Sequence, residues 1–387
     1  MPSRRHFLKT LAASAVALGP AGNWALAVDE RAAPDEQSDW AFPLLGDLHF
    51  DKLEHHDHEW LKREHPGDVS QVENYSRITR DLTPQLFARV RDSLAALNQS
   101  KTHLPFVLQL GDLLEGLCGN DELANRQARE GIDFVRAAKF SAPLVMTKGN
   151  HDITGPGAVD AYRQILLPFL ADQNRAEIKE AVFTRQIGEK NRPGGTLIAF
   201  YDAYDKASLD WFSKTLEQNK PERLIVAIHP PVVPYNARSN WHIYSSSKQA
   251  AQREQLLNLL GRHRAIVLCG HLHKYSLLMR RTDSGRFVQL AISSVAASAD
   301  GKPKDERTGV AQYTPDLVEL EPKHAPETVN DRRDLLAAEK PFIEHFDYAD
   351  TWGHATLQST GGKLTAQIYR GLEATPWKMA DFDRLLG

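Results

Sequence analysis

Short apolar runs that each end in a cluster of Asp, Asn or His recur along this chain, and they restrict its fold more than any other feature. Residues 43–45 lead into Gly46-Asp47-Leu48-His49, 106–110 into Gly111-Asp112-Leu113-Leu114-Glu115, and 144–146 into Gly149-Asn150-His151-Asp152. Residues 224–228 then lead into His229-Pro230, and 265–269 into Gly270-His271-Leu272-His273. Continuous apolar runs of this length suit strands buried on both faces. Amphipathic stretches at about 84–97, 121–139, 159–171, 209–217 and 249–262 lie between them, so strand and helix alternate as in an α/β domain. Ligands of such sheets gather beyond the carboxyl ends of the strands, where each of these clusters falls.

The pattern changes after Lys274. Residues 275–281 and 287–292 flank a Thr-Asp-Ser-Gly turn, and 355–359 and 364–369 flank Gly361-Gly362, so two hairpins are expected. Residues 298–340 are charged and weakly periodic, which predicts a surface insertion with a short helix near 330–338. The length of 387 residues admits two or three domains. Because the clusters run from Asp47 to His273, one domain over 39–375 is expected, with 376–387 as a tail.

Asp, Asn and His together supply oxygen and nitrogen donors that suit Mn, Fe, Zn or Co better than Ca or Cu(I). In D-x-H and H-x-H, alternate residues share one side of an extended segment, so both side chains of each pair reach one site. Glycines before Asp47, Asp112, Asn150 and His271 allow sharp turns and keep side chains off the centre. Loops rich in turn residues would explain the Gly and Asn, but not five strand ends carrying Asp and His.

In order, these segments resemble the signature of the calcineurin-like metallophosphoesterase superfamily: D-x-H, G-D-x-x-D/E, G-N-H-D/E, a lone His, and G-H-x-H. The resemblance spans about 42–275. It implies a four-layer α-β-β-α sandwich of two mixed β-sheets flanked by helices, holding two divalent or mixed-valence transition-metal ions. It makes Asp112 the bridge, with Asp47, His49 and His273 on the first metal and Asn150, His229 and His271 on the second. It leaves His151 off the metals, facing substrate and oriented by Glu115, and it implies attack on a phosphate mono- or diester by a metal-bridging hydroxide while His151 assists the leaving group. Asp152 is expected to hold the loop. Purple acid phosphatases carry a Tyr in the second motif and no His in the first; His49, Leu114 and Glu115 depart from that pattern, and the set resembles the phosphodiesterase-like branch instead.

The first 27 residues read as an address. Arg4-Arg5-His6-Phe7-Leu8-Lys9, an apolar stretch at 11–18 and Ala25-Leu26-Ala27 form a signal peptide whose paired arginines resemble the twin-arginine export signal. The apolar stretch is too short to span a bilayer. Residues 28–38 are acidic and Pro-containing, as in a linker. Export by the twin-arginine translocase to the bacterial periplasm or medium is expected, without a membrane anchor on the mature form. Removing Arg4, Arg5 and Lys9 takes the net charge from −3 to −6, which argues against a nucleic-acid partner; a small phosphorylated substrate is what the metallophosphoesterase resemblance implies. Cys118 and Cys269, the only cysteines, are too few for a disulfide scaffold.

His55, His56, His58 and His65 share a stretch with many acidic residues and are expected on an exposed loop. Tyr235, Arg238 and His242 follow His229 and are candidate substrate contacts, Arg238 through its guanidinium. The alternative to an enzyme is a non-catalytic ligand-binding protein that keeps the same fold.

Overall fold

The computed structural model describes residues 39–188, 195–235, 242–296, 298, 300–317 and 327–387; residues 1–38, on which the expected signal peptide and linker fall, and Arg238 lie outside them. The strands are β1 (Trp40–Leu45), β2 (Val107–Gln109), β3 (Leu144–Met146), β4 (Phe183–Ile187), β5 (Thr196–Tyr201), β6 (Arg223–Ile228), β7 (Ile266–Cys269), β8 (Tyr275–Thr282), β9 (Gly285–Ala291), β10 (Glu306–Thr308), β11 (Ile343–Ala349), β12 (Gly353–Thr360), β13 (Lys363–Arg370) and β14 (Lys378–Asp381). One sheet has the order β14-β13-β12-β1-β2-β3, the other β10-β11-β8-β9-β7-β6-β5-β4. Both are mixed, with parallel pairing at β1–β2–β3 and at β5–β6–β7–β9 and antiparallel pairing at the margins.

The helices are α1 (His58–Glu64), α2 (Val69–Asp81), α3 (Thr83–Gln99), α4 (Asp121–Ala137), α5 (Ala158–Ala161), α6 (Leu167–Asn174), α7 (Ser208–Asn219), α8 (Ala250–Arg262), α9 (Glu327–Glu339) and α10 (Phe382–Leu386). Alternation along the strands sorts three cores. Phe42 and Leu44 of β1 join Leu108, Ile225, Leu268, Leu290 and Leu357 between the sheets, whereas Leu45 joins Leu86, Val90 and Ile132 of α3 and α4. Phe212 and Leu260 of α7 and α8 cover the outer face of the second sheet with Val226 and Val267. The result is the expected two mixed sheets flanked by helices, the metallo-dependent phosphatase fold.

Three expectations are corrected. The helix expected over 159–171 is interrupted by a π-helical turn, Tyr162–Leu166, just before α6; Pro168 lacks an N–H and cannot continue an unbroken ladder. Residues 376–387 are no tail, since β14 pairs with β13 and Phe382 is fully buried in the inter-sheet core. The insertion is anchored as well as exposed: β10 pairs with β11, and the buried Tyr313 donates its hydroxyl to the Pro234 carbonyl at 2.6 Å. Cys118 and Cys269 are both buried free thiols in different cores.

Candidate metal centre

The parallel strands of both sheets deliver their carboxyl ends to one place. Asp47 and His49 follow β1, Asp112 follows β2, Asn150 follows β3, His229 follows β6, and His271 and His273 follow β7. The loops are stitched by main-chain bonds: Leu48 and His49 N–H donate to the Asp112 carbonyl at 3.0 and 2.9 Å, and Gly270 N–H to the His229 carbonyl at 2.9 Å. The His271 N–H donates to Asp47 Oδ1 at 2.8 Å and ties the two sheets together.

Backbone strain marks the same positions. Eleven non-glycine residues among those described have positive φ, and Lys101, Lys139, Arg175, Lys220 and Arg264 follow helix ends, where that conformation is ordinary. Of the remaining six, four are candidate ligands: His49 (46°), Asp112 (54°), His271 (72°) and His273 (54°). Each such residue costs of order 1–3 kcal/mol, and such strain persists where the surroundings hold a functional geometry. Space is equally tight, since a Cβ on Gly149 would stand 2.1 Å from both the Asp112 nitrogen and its Oδ1.

Asp47, His49 and His273 bring one donor atom each within 4.8 Å of one another, as do Asp112, His229 and His271. The Asp112 carboxylate lies between these groups, Oδ2 being 3.0 Å from His229 Nε2 and 3.8 Å from His49 Nε2. Imidazole nitrogens face one another at 2.9 Å (His49 and His273) and 3.1 Å (His229 and His271). Two buried carboxylates and four converging imidazoles are costly to desolvate without a cation, and their N/O donor set fits a divalent transition metal. His49, Asp112 and His151 form a third group of the same kind, so proximity alone does not separate His151 from the candidate ligands.

Hydrogen bonds fix which nitrogen faces inward. His229 Nδ1 donates to the Leu110 carbonyl at 2.6 Å, leaving Nε2 toward Asp112 and Asp47. His49 Nδ1 donates to Glu115 Oε2 at 2.7 Å, leaving Nε2 toward Asp112 and His273. A carboxylate behind a ligating imidazole fixes its tautomer and raises its basicity. Glu115 lies against His151 as the resemblance implies, but holds it through the backbone: the Glu115 carbonyl accepts from His151 Nδ1 at 2.8 Å, while the carboxylate, 3.4 Å from that nitrogen, makes its short bond to His49. Asp152 accepts from the N–H groups of Asp112, Leu114 and Gly149, so it holds the loop as expected.

Burial lowers the His49 pKa, but Glu115, Asp112 and Asp47 outweigh it and raise the value to about 9. His229 reaches about 9 against burial through Asp112 and Asp47. Burial and the neighbouring His229 push His271 down to about 3. The metal-free protein therefore holds protons on His49 and His229 below about pH 9, and a bound cation displaces them. Apparent Mn(II) affinity is expected to weaken as pH falls from 9 to 6.5, by up to about tenfold per unit for each displaced proton. Titration against a chromophoric chelator measures it, and an affinity flat across that range would contradict the assignment.

Sequence reasoning missed the supports of this centre. Gln71 donates to Glu115 Oε1 at 2.9 Å, and Tyr75 stacks on His49 with centroids 4.2 Å apart. Both come from α2, a helix that the sequence pattern did not predict. His55 and His56 are buried, not exposed: His56 Nε2 bonds Asp51 Oδ1 at 2.7 Å and His55 Nε2 bonds Glu130 Oε2 at 3.1 Å. Tyr235 is fully buried with its hydroxyl toward the Lys274 carbonyl, which makes it a core residue rather than a substrate contact. His242 is also buried. Lys148 forms an ion pair with the buried Asp202.

No curated protein matches the sequence. Among solved structures, GAP50, described as the anchor in the inner membrane complex of Plasmodium, is similar in fold, with 11% identity over 89% of each chain and a TM-score of 0.50. A purple acid phosphatase from yellow lupin has 11% identity over 91% of this chain and 56% of its own, with a TM-score of 0.49. A dimetal phosphatase from Danio rerio has 13% identity over 86% of this chain and 96% of its own, with a TM-score of 0.46. Residues 43–275 match the family described as calcineurin-like phosphoesterase, and with its Asp and His groups at the strand ends the chain belongs to that family.

Proposed function

We propose that this chain hydrolyses a small phosphate mono- or diester at a centre of two divalent transition-metal ions of the Mn, Fe, Zn or Co type. The observation that carries the reading is the buried Asp112 carboxylate, which belongs to one Asp/His group with His229 and His271 and also lies 3.8 Å from His49 of the other. Asp47, His49 and His273 would hold one cation and Asn150, His229 and His271 the other, with Asp112 shared. When bound, the cations would supply Lewis-acid polarisation of the phosphoryl group and an activated water.

The protein groups supply the rest. His151 is 20% exposed, and its Nδ1 is engaged by the Glu115 carbonyl, so its Nε2 is the nitrogen available to substrate. With both ring nitrogens protonated, His151 keeps its Nδ1–H on the Glu115 carbonyl. Its Nε2 proton passes to the leaving oxygen as that oxygen's bond to phosphorus breaks and the attacking water's oxygen bonds to phosphorus, so no alkoxide is released. The His151 N–H donates to Asp112 Oδ1 at 2.8 Å, which couples the acid's loop to the shared carboxylate. Metal-loaded His151→Ala is expected to keep its metal content and lose about 100-fold or more in kcat on a chromogenic phosphate diester and monoester. Wild-type protein that binds no metal and turns over neither ester would favour a non-catalytic binding protein of the same fold.

The same reading includes export. The Arg4-Arg5 pair and the 11–18 apolar stretch support a twin-arginine signal and a periplasmic or secreted mature chain. No helix among the described residues is long and apolar enough to cross a membrane. Replacing both Arg4 and Arg5 by Lys is expected to retain the precursor in the cytoplasm, read by cell fractionation; unchanged export would refute that route.

A further inference from the structure

A phosphoryl group held by metals and His151 is recognised whatever ester it carries, so selectivity for the leaving group must come from the rim. Four large hydrophobic residues among those described are exposed, namely Leu53, Val159, Tyr204 and Met379. Tyr204 is the one placed against the candidate centre. It is 37% exposed, its hydroxyl donates to Asn150 Oδ1 at 3.3 Å, and its ring centroid is 6.5 Å from that of His229.

Its position is firmly set. The Tyr204 N–H donates to Asp202 Oδ1 at 2.9 Å, and Asp202 Oδ2 is ion-paired with Lys148, two residues before Asn150. The loop after β5 in one sheet is thus clipped at two points to the loop after β3 in the other. An exposed aromatic ring without such support would be an ordinary surface feature. Here it is held in one place at the mouth of a polar site, as an orienting wall requires.

We propose that Tyr204 is a specificity-determining residue whose ring packs against the leaving group, favouring phosphate esters with a flat aromatic leaving group over small alkyl ones. The inference rests on the phosphohydrolase reading. Ring-to-ring packing of this kind accounts for roughly three- to tenfold in affinity. The hydroxyl separately steadies Asn150, so ring and hydroxyl are distinguishable by substitution.

The test uses Mn(II)-loaded mature protein and two non-hydrolysable probes, phenylphosphonate and methylphosphonate, with affinities measured by calorimetry and metal content by elemental analysis. Wild type is expected to bind the phenyl probe roughly three- to tenfold more tightly. Tyr204→Phe should keep that ratio, and Tyr204→Ala should bring it near unity, with methylphosphonate affinity and metal content matching those of Tyr204→Phe, which lacks the same hydroxyl. Equal affinities in wild type, binding of neither probe, or equal weakening of both probes in Tyr204→Ala would each overturn the proposal. Failure of the phosphohydrolase reading looks different: no ester is turned over while the Tyr204-dependent ratio between the probes persists.

Discussion

Asp112→Asn is expected to bind divalent transition metal at least about 100-fold more weakly than wild type and to lose measurable phosphoesterase activity, while keeping its fold. A group that merely orients a metal ligand costs 10- to 100-fold in affinity when removed, and Asp112 lies closer to the centre than any such group. Its Oδ2 is 3.0 Å from His229 Nε2 and 3.8 Å from His49 Nε2, and its Oδ1 receives the His151 N–H at 2.8 Å. The His229 and His151 charges hold its pKa well below the usual carboxylate range despite burial. It is therefore an anion at any pH where the centre would load, and two cations brought close together need such a charge between them.

Asparagine is the informative replacement because the φ of Asp112 is 54°. Asn tolerates the left-handed region, so the amide can occupy the same backbone geometry and accept the same N–H. Circular dichroism of the metal-free variant should show the wild-type secondary structure, its melting point should fall because the protonated His229 loses a buried carboxylate partner, and elemental analysis after reconstitution reads the metal loss. A variant that retains full metal content would remove the basis for a shared carboxylate. The contrast with His151→Ala, which should keep metal, separates the group between the cations from the group facing substrate.

How much of this was legible in the sequence follows from what each residue needs. The candidate ligands lie within a few residues of buried strand ends, so their apolar runs and glycines announced them, and the same runs specified two helix-covered sheets. Gln71 and Tyr75 were invisible because their role depends on how α2 folds back over His49, and a Gln and a Tyr at helical spacing look like ordinary surface and core. Burial of His55 and His56 was missed for a related reason. Their acidic neighbours suggested solvent, yet Asp51 and Glu130 are the partners that allow them to be buried. Tyr235 failed the opposite way, since proximity in sequence to His229 does not set which way a side chain turns.

The anchoring of the insertion yields the largest expected effect on stability. The Glu339 carboxylate, at the end of α9, pairs with Arg253 of α8 and, at 2.6 Å through its Oε2, with Arg280 of β8. All three side chains are largely buried, and the Arg280 guanidinium also sits 4.7 Å from the Phe342 ring centroid. Burial would raise the Glu339 pKa, but the two arginines lower it below its ordinary value of 4.5. Its contribution to stability is therefore present above about pH 4.5 and is lost as pH falls through the depressed value. Glu339→Gln leaves two buried guanidinium groups facing a neutral amide, and removing one partner of a buried ionic cluster costs about 3–5 kcal/mol. Urea unfolding at pH 7 should show a loss of that order, constant down to about pH 4.5 and shrinking only below it. Replacing Arg253, Arg280 and Glu339 together by apolar residues of similar volume should recover most of the loss, because the uncompensated charges go with the carboxylate. A Glu339→Gln protein as stable as wild type at pH 7 would mean that the cluster is solvated and that the insertion is held by the β10–β11 pairing and by Tyr313, Leu317 and Leu336.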